Sequence, residues 1–358
     1  MKARLLVDDA VGETRRMLLD EQGRPFRLHL ERWSERGARP LLNDIRWGRV
    51  RARIPGNRGW FVDLGHGPEG VVEPTQAARV IEGAMLAFRV KAEAWADKGP
   101  LLSLGDISPK LTPPDRPALH APAEIDSFLE GVTITDTVSD AEARTWIDAA
   151  IDEAAHAIVQ LAGGGDIAVD VARAAVVIDV DSGARKSLGD AERFAQELNL
   201  AAAEAAARQI SMRSVGGLVL IDFIGMKQAE GRRALVARFR DALSLYLGRS
   251  SDVLEMSRLG VVEVAVARRG RPLSDALGAG SVERIALETL RAIETAGWQD
   301  RGARLVARVS PEVEAWLDHD HIGWQKALGD RIGQRWTIEA RAGEPVVGHG
   351  GHPDVRSV

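Results

Sequence analysis

The sequence predicts an α+β protein with a separate small β domain, and three observations carry that prediction. Residues 35–104 alternate between short apolar and polar runs, broken at Pro55-Gly56-Asn57, Gly65-His66-Gly67-Pro68 and Lys98-Gly99-Pro100, as successive short strands require. Two longer apolar runs, Ala175-Val176-Val177-Ile178-Asp179-Val180-Asp181 and Gly217-Leu218-Val219-Leu220-Ile221-Asp222, read as buried strands ending in carboxylates. Helical spacing of apolar residues fills the stretches between and after them, at 189–213 and 229–247.

Taken in order, Arg4-Leu5-Leu6-Val7 is a short strand. Met17-Leu18-Leu19 and Phe26-Arg27-Leu28-His29-Leu30 flank the turn Gln22-Gly23-Arg24-Pro25, so 1–34 is a strand followed by a hairpin. Residues 105–125 gather Ser108-Pro109, Pro113-Pro114, Pro117 and Pro122 and read as a linker. Ser139-Asp140-Ala141-Glu142 is a capping box for a helix whose apolar positions recur at Trp146, Ile147, Ala150, Ile151, Ala154 and Ile158, ending at Gly163-Gly164-Gly165. A hairpin follows, 167–171 with 175–180, then an Ala-rich helix over 189–213 and the strand that carries Asp222. After the helix at 229–247 come strands near Val253 and at 261–267, and a turn or linker at Arg268-Arg269-Gly270-Arg271-Pro272. The stretch 280–341 reads as helix, strand (303–309), helix (311–318) and a strand around Trp336-Thr337-Ile338. The Gly- and His-containing tail from Gly343 is expected to be disordered.

Composition narrows the function. The 358 residues suffice for two or three domains, and 45% hydrophobic content supports a sizeable core. A net charge of −5 excludes a basic nucleic-acid coat, so any RNA contact must come from local basic patches. There is no Cys, which excludes disulfides and thiolate metal sites and fits a reducing compartment. The N-terminus has no long apolar core and no apolar run spans a bilayer, so the reading is cytoplasmic with no membrane partner. There is no Walker-type phosphate loop, because Gly163-Gly164-Gly165 precedes a strand.

Aspartate is costly to bury unless paired or bound to a metal. Asp179 and Asp222, each at the end of an apolar strand, therefore suggest a hard-cation site, most readily Mg²⁺, which takes a few carboxylates and keeps several waters. The plain alternative is a pair of strand-end aspartates capping turns.

The two strands, followed by Leu254-Glu255-Met256-Ser257-Arg258, resemble the catalytic region of the ribonuclease E/G family. That family's pattern runs roughly IDxN(S/T)G, GGxIxIDFIDM and LLEMSR, and the 43 positions between Asp179 and Asp222 fit its spacing. Asn199, Arg208, Gln209 and Arg213 fall where the family has its N-x-E-A and A-R-Q-L-R-L-R helix. Gly59-Trp60-Phe61-Val62-Asp63-Leu64-Gly65 similarly resembles the core of an S1 domain, an OB-fold that binds single strands on a basic, aromatic-bearing barrel face. The resemblance implies an S1-type OB barrel, a DNase I-like/RNase H-like α/β catalytic region and a small C-terminal αβ domain. The domain map is then 1–34 an N-terminal strand and hairpin of the RNase H-like part, 35–104 the S1-like domain, 105–125 a linker, 126–272 the DNase I-like catalytic domain, 273–342 the C-terminal domain and 343–358 the tail.

By the same resemblance Asp179 and Asp222 are metal ligands and, with Asp181, catalytic residues. Phe61 matches an aromatic that stacks RNA, and Lys98 a lysine on the same face. Arg49, Arg51 and Arg53 alternate and would share that face, with Arg46 added to the basic surface. The plain alternatives are a core Phe61 and a merely solvated arginine face.

The chain also departs from the family. Asp181 stands where Asn is usual, Gly225 replaces the second Asp of IDFID, and the second stacking aromatic falls at Val71. Only about 70 residues separate Gly105 from Asp179, too few for the family's 5′-end sensor. The zinc-linking Cys pair is absent, so no zinc is expected and any homodimer lacks a zinc link.

The helix arginines Arg232, Arg233, Arg238 and Arg240 suit a charged helix surface, although they could steer phosphate. Glu255, Ser257 and Arg258 suit a structural network, and His319-Asp320-His321, His349 and His352 make weak metal candidates. The expected function is a Mg²⁺-dependent endoribonuclease acting on single-stranded RNA, indifferent to a 5′-monophosphate. The alternatives are a non-catalytic RNA-binding protein on the same scaffold and, from the acidic net charge alone, a protein-interaction scaffold.

Overall fold

The computed structural model describes residues 1–341, except Asn57, 74–79, 96–97, 109–110, 124–125, Asp140, Arg173, 185–189, Ser250 and 279–280, and also describes 354–357. Asp140 of the expected capping box, Asn57, His349 and His352 therefore lie outside the described residues.

The chain opens with a meander, β1 (Lys2–Ala10), β2 (Glu13–Leu19) and β3 (Pro25–Arg32), paired antiparallel in turn. It then enters a barrel made of β4 (Ile45–Arg53), β5 (Trp60–Asp63), β6 (Gly70–Val72), β7 (Met85–Ala92) and β8 (Leu101–Leu104). Its strand order is β4-β5-β6-β8-β7 and back to β4, with β6 and β8 parallel. This closed five-stranded arrangement is an OB-type topology and leaves no open edge among its strands. Val50, Val62, Leu64, Val72, Phe88, Val90 and Leu102 fill its interior. Gly59 is required there: its φ is +115°, and a Cβ would stand 1.9 Å from the Val72 carbonyl oxygen. A short strand, β9 (Ala118–Ala121), adds to β4 from outside.

The chain leaves the barrel as β10 (Thr133–Val138), which pairs parallel with β1, so the first sheet has the order β10-β1-β2-β3. Helix α1 (Ala141–Ala155) packs its Ala143, Ile147, Ala150 and Ala154 against Leu6, Met17, Leu28 and Leu30 of this sheet. The expectation that the helix runs through Ile158 to the glycines is corrected. Ile158 opens β11 (Ile158–Gln160), and Gly163, Gly164 and Gly165, at φ +90°, +96° and +82°, form the tip of a hairpin to β12 (Asp166–Val171).

The second sheet continues with β13 (Val176–Asp181), helix α2 (Ala191–Met212), β14 (Gly217–Asp222), helix α3 (Ala229–Leu247), β15 (Asp252–Val253) and β16 (Val261–Val266). Its order is β11-β12-β13-β14-β16-β15, with β13 and β14 its parallel pair. Asp190 starts α2 by accepting hydrogen bonds from the backbone of Glu192 and Arg193, and Gly248 in the left-handed region ends α3. Both helices cover one face of the sheet. The small Ala195, Ala202, Ala203, Ala206 and Ala207 of α2 lie in one core with Ile178, Val219 and Ile221.

After α4 (Leu273–Leu277) comes a C-terminal unit of α5 (Val282–Gln299), β17 (Leu305–Val309), α6 (Pro311–Asp318), α7 (Trp324–Ile332) and β18 (Trp336–Ala340). The sequence reading missed α7. Of the tail expected to be disordered, 343–353 and Val358 lie outside the described residues, and at 354–357 the expectation is corrected: β19 (Asp354–Ser357) pairs antiparallel with β17.

Buried charges join the first sheet to α1 and the C-terminal unit. Asp8 accepts hydrogen bonds from Arg15 Nε (2.9 Å) and Nη2 (2.5 Å), and from Arg144 Nε of α1 (2.9 Å). Arg144 Nη2 reaches Glu294 of α5 at 2.5 Å, and Arg331 of α7 reaches the same carboxylate at 2.6 Å. Glu13 accepts from Arg291 at 2.9 Å. Burial alone raises the Asp8 pKa, but the guanidinium groups of Arg15 and Arg144 outweigh it and hold it below the usual carboxylate range. The stabilisation is therefore present above the unfolded-state value of about 4 and is lost as pH falls through the folded one. Replacing Asp8 by Asn leaves buried cations uncompensated and is expected to cost about 3–5 kcal/mol near neutrality. Urea unfolding should also show the wild-type midpoint falling more than that of Asp8→Asn between pH 5 and pH 3.

Candidate functional site

The apolar alternation of β13 and β14 decides where the carboxylates point. Val176, Ile178 and Val180 of β13, and Val219 and Ile221 of β14, face the helices, so Val177, Asp179 and Asp181 and then Leu218, Leu220 and Asp222 face outward. Parallel register sets Asp179 directly opposite Asp222. The row continues to Ala168 on one side and Val261 on the other. Neighbouring rows on the open face hold Asp166 opposite Asp181, and Asp170, Val177, Leu220 and Glu263 in line. Asp179 and Asp222 thus form an exposed pair on adjacent strands, with strand axes about 4.8 Å apart.

Asp181 occupies the next outward position along β13. Its Oδ1 accepts the Gly183 N–H at 2.7 Å, so the side chain shapes the loop that follows. Gly225 lies in the loop after Asp222, where a Cβ would meet nothing within 4 Å. Among the described residues, no group of three or more His, Cys, Asp or Glu side chains is gathered to hold a metal. Two outward carboxylates on neighbouring strands nevertheless suit Mg²⁺, which is commonly held by one or two protein carboxylates plus water and substrate phosphate.

The loop bearing Gly225 is fixed by side chains whose role sequence reasoning missed. Buried Asn199 of α2 donates from Nδ2 to the Ile224 carbonyl (2.7 Å) and accepts the Ile224 N–H (3.0 Å). Glu192 accepts the N–H groups of Lys227 (3.0 Å) and Gln228 (2.8 Å), holding the start of α3 and drawing its own pKa down. The resemblance marked Asn199 by position; nothing in local sequence marked Glu192. Across the site, Ser257 Oγ accepts the N–H groups of Leu259 and Val261, both at 3.3 Å. It thereby shapes the turn that brings Gly260 beside Asp222, where a Cβ on Gly260 would lie 3.8 Å from Asp222 Oδ1. Ser257 thus shapes this turn, whereas Glu255 and Arg258, expected to share a structural network with it, are exposed.

On the barrel, Trp60 packs against the interior while the half-buried Phe61 stands on the opposite face. Phe61 is paired with Val71, and Val71 with Leu101, in one row across β5, β6 and β8. The exposed Lys98 lies three residues before Leu101 and forms a bridge with Trp95.

The expected arginine face is corrected in two ways. Arg46 is 1% exposed and donates to the carbonyls of Arg39 and Gly37, both at 2.9 Å, so it belongs to the interior. A bulge between Val50 and Arg53 shifts the register, so Arg53 pairs with Trp60, with its guanidinium 6.0 Å from that ring. It therefore leaves the line of Arg49 and Arg51. Arg51 meets Asp63 at 2.6 Å, and Arg49 donates to the carbonyls of Gly83 and Asp115. The Gly65 N–H and then the two arginines lower the Asp63 pKa.

The segment after β16 fastens barrel to sheet. The Arg269 carbonyl accepts the Glu93 N–H at 2.6 Å, Arg269 pairs with Glu130, and Arg271 meets Glu35 through two 2.7 Å hydrogen bonds.

Residues 124–269, which include both aspartate strands, match the Ribonuclease E/G family. Ribonuclease E of Haemophilus influenzae is 31% identical over 182 residues, covering 48% of this chain and 19% of that protein. Ribonuclease E of Escherichia coli is 31% identical over 182 residues, covering 48% of this chain and 17% of that protein. The Ribonuclease E/G-like protein of Porphyra purpurea is 29% identical over 174 residues, covering 48% of this chain and 33% of that protein. The chain thus spans a third or less of the length of these relatives. Among the described residues, no helix is long and apolar enough to cross a membrane.

The two arginines separate by experiment. Arg46→Met strands buried carbonyls and is expected to lower stability by about 1–3 kcal/mol. The exposed ion pair of Arg51 is worth little, so Arg51→Met should change stability by less than about 0.5 kcal/mol in the same urea titration.

Proposed function

We infer that this chain, which belongs through residues 124–269 to the ribonuclease E/G family, is a Mg²⁺-dependent endoribonuclease that cleaves single-stranded RNA in RNA processing or decay. The observation that carries the reading is the in-register pair of outward carboxylates, Asp179 and Asp222, on adjacent parallel strands. These two residues would hold Mg²⁺ from one side and leave its other side to water and a phosphodiester. When bound, the ion supplies Lewis-acid polarisation of a phosphoryl oxygen and a water of lowered pKa.

The protein's own groups set the geometry. Asn199 and Glu192 hold the loop behind Asp222, and Asp181 holds the turn behind Asp179, so both carboxylates stand on rigid supports. In-line attack of water on phosphorus, with the 3′ oxygen leaving, yields a 5′-phosphate and a 3′-hydroxyl. Phe61 offers a stacking surface for a base, with Lys98, Arg49 and Arg51 toward the backbone. A single stacking aromatic beside an Arg51 already engaged by Asp63 suits weak, sequence-tolerant contact with unstacked RNA. The short stretch between barrel and catalytic strands suits indifference to a 5′-monophosphate.

A second reading, a non-catalytic RNA-binding protein, is favoured by the row around the aspartates, which has Ala168 and Val261 at its flanks and no third carboxylate. Cleavage of a fluorescent A/U-rich RNA separates the two. With Mg²⁺ the wild type is expected to cut, EDTA to abolish cutting, and Asp179→Asn or Asp222→Asn to lower kcat by about 10³-fold or more, the weight of several kcal/mol of charge stabilisation. RNA binding without cleavage, unchanged in both variants, would establish the second reading instead. In the same binding assay Phe61→Ala should weaken affinity by about 1–3 kcal/mol, the value of one stacked base.

A further inference from the structure

At the far end of β14 from Asp222, a cavity of about 130 Å³ opens among β3, the ends of α2 and α3, the barrel and the segment after β16. Its polar lining includes Arg27, Arg249, Arg269, Ser211, Ser214 and Glu93. No motif pointed to it, because its residues come from seven separate parts of the chain.

The bonding of these groups leaves positive charge unspent. Arg27 is committed to the fold: its guanidinium donates to the carbonyls of Tyr246, Phe128 and Glu130, capping the end of α3. Ser211 is likewise committed to the Tyr246 carbonyl at 3.0 Å. Arg269 pairs with Glu130, and Glu93 accepts from Arg39 and from the Leu42 N–H. Arg249 is different. Its Nη2 donates to the neutral Ala267 carbonyl at 2.9 Å, and no carboxylate forms an ion pair with it among the described residues. Ser214, at φ +52°, holds a backbone conformation that only a surrounding structure sustains and presents a small hydroxyl residue to the cavity.

We propose that this cavity is a binding site for an oxyanion of phosphate size, held by Arg249 and Arg269 with Ser214, and separate from the Asp179–Asp222 pair. A guanidinium whose acceptor is a neutral carbonyl keeps its charge uncompensated, and an anionic acceptor compensates it through a charge-assisted hydrogen bond. Charge supports the same conclusion. Burial first, with Arg249 and Arg269 adding to it and Glu130 opposing, lowers the pKa of Arg27 to about 10; burial and then Arg269 lower that of Arg249. The cations press on one another across the cavity, and one anion relieves both. A cavity of this size holds a few waters or one phosphate group, but not a nucleobase with its sugar. The ligand is therefore a free inorganic anion, or the terminal phosphate of a molecule whose remainder stays outside.

The test is thermal unfolding of the full chain against millimolar phosphate at fixed ionic strength, which removes the general salt effect. The wild-type Tm is expected to rise and saturate with phosphate. Arg249→Met should abolish the saturable rise, and Arg269→Gln should move its midpoint at least about tenfold higher, the loss of one charge-assisted bond. Arg269→Gln keeps the test open if Arg249→Met fails to fold. Adenosine 5′-monophosphate tested in place of phosphate separates the sources: a rise at lower concentration assigns the site to a terminal phosphate, and a rise with phosphate alone assigns it to the free ion. No saturable rise in the wild type, or an equal rise in wild type and both variants, overturns the proposal.

Discussion

The parallel pairing of β13 with β14 is the constraint on which the candidate site rests. Two parallel neighbours cannot be joined by a tight turn; the chain must cross from the end of one strand to the start of the next. Helix α2 makes that crossing, and its alanines let it lie close against the sheet. Once the crossing is made, Asp222 at the end of β14 lies level with Asp179 of β13, and the two face the same way. A one-residue slip in either strand would turn its aspartate into the helix-covered core, where an unpaired carboxylate is prohibitive. The apolar alternation of Val176, Ile178 and Val180 against Val219 and Ile221 therefore protects the site as well as the core.

Buried charge does the work of holding the parts in place around that sheet. Asp8 alone engages arginines from β2 and α1, and Arg144 passes the connection on to Glu294 of α5. Ion pairs of this kind are not a cheap source of stability, since desolvation offsets much of their attraction. What they contribute is discrimination: a misplaced α5 would strand Glu294, which is fully buried. The segment after β16 follows the same logic on the barrel side, where Arg271 meets Glu35 through two donors and Arg269 meets Glu130.

The parts legible in the sequence are those that local pattern determines. Continuous apolar runs marked β13 and β14, and long periodic stretches marked α2 and α3, because burial on one face leaves a repeat in the chain. Ile158 was misplaced because a three-residue strand just after a helix can continue the helical repeat by chance. Arg46 and Arg51 look alike in sequence, and only the carbonyls of Gly37 and Arg39, supplied by the irregular bend before β4, make one of them interior. Arg53 left its expected face through a bulge that alternation cannot reveal. Glu192 and the cavity at Arg249 were invisible for a different reason: their partners lie far along the chain. The strand β19 completes its sheet only by reaching back to β17.

The distribution of charge explains how an acidic chain could still act on a polyanion. The open face around Asp179 and Asp222 also carries Asp166, Asp170, Asp181 and Glu263, so it repels phosphate unless a cation intervenes. Several arginines, among them Arg15, Arg27, Arg46 and Arg144, are spent inside on carbonyls and buried carboxylates, and Arg51 on the barrel is paired with Asp63. Affinity for RNA would then be modest and depend on stacking at Phe61 more than on a basic stripe. Entry to the carboxylate face would depend on the divalent ion. On the proposed reading the ion would be both the reagent and the gate, and the acidity of the face, which looks unfavourable to an RNA enzyme, would be the means by which cleavage is kept conditional on metal.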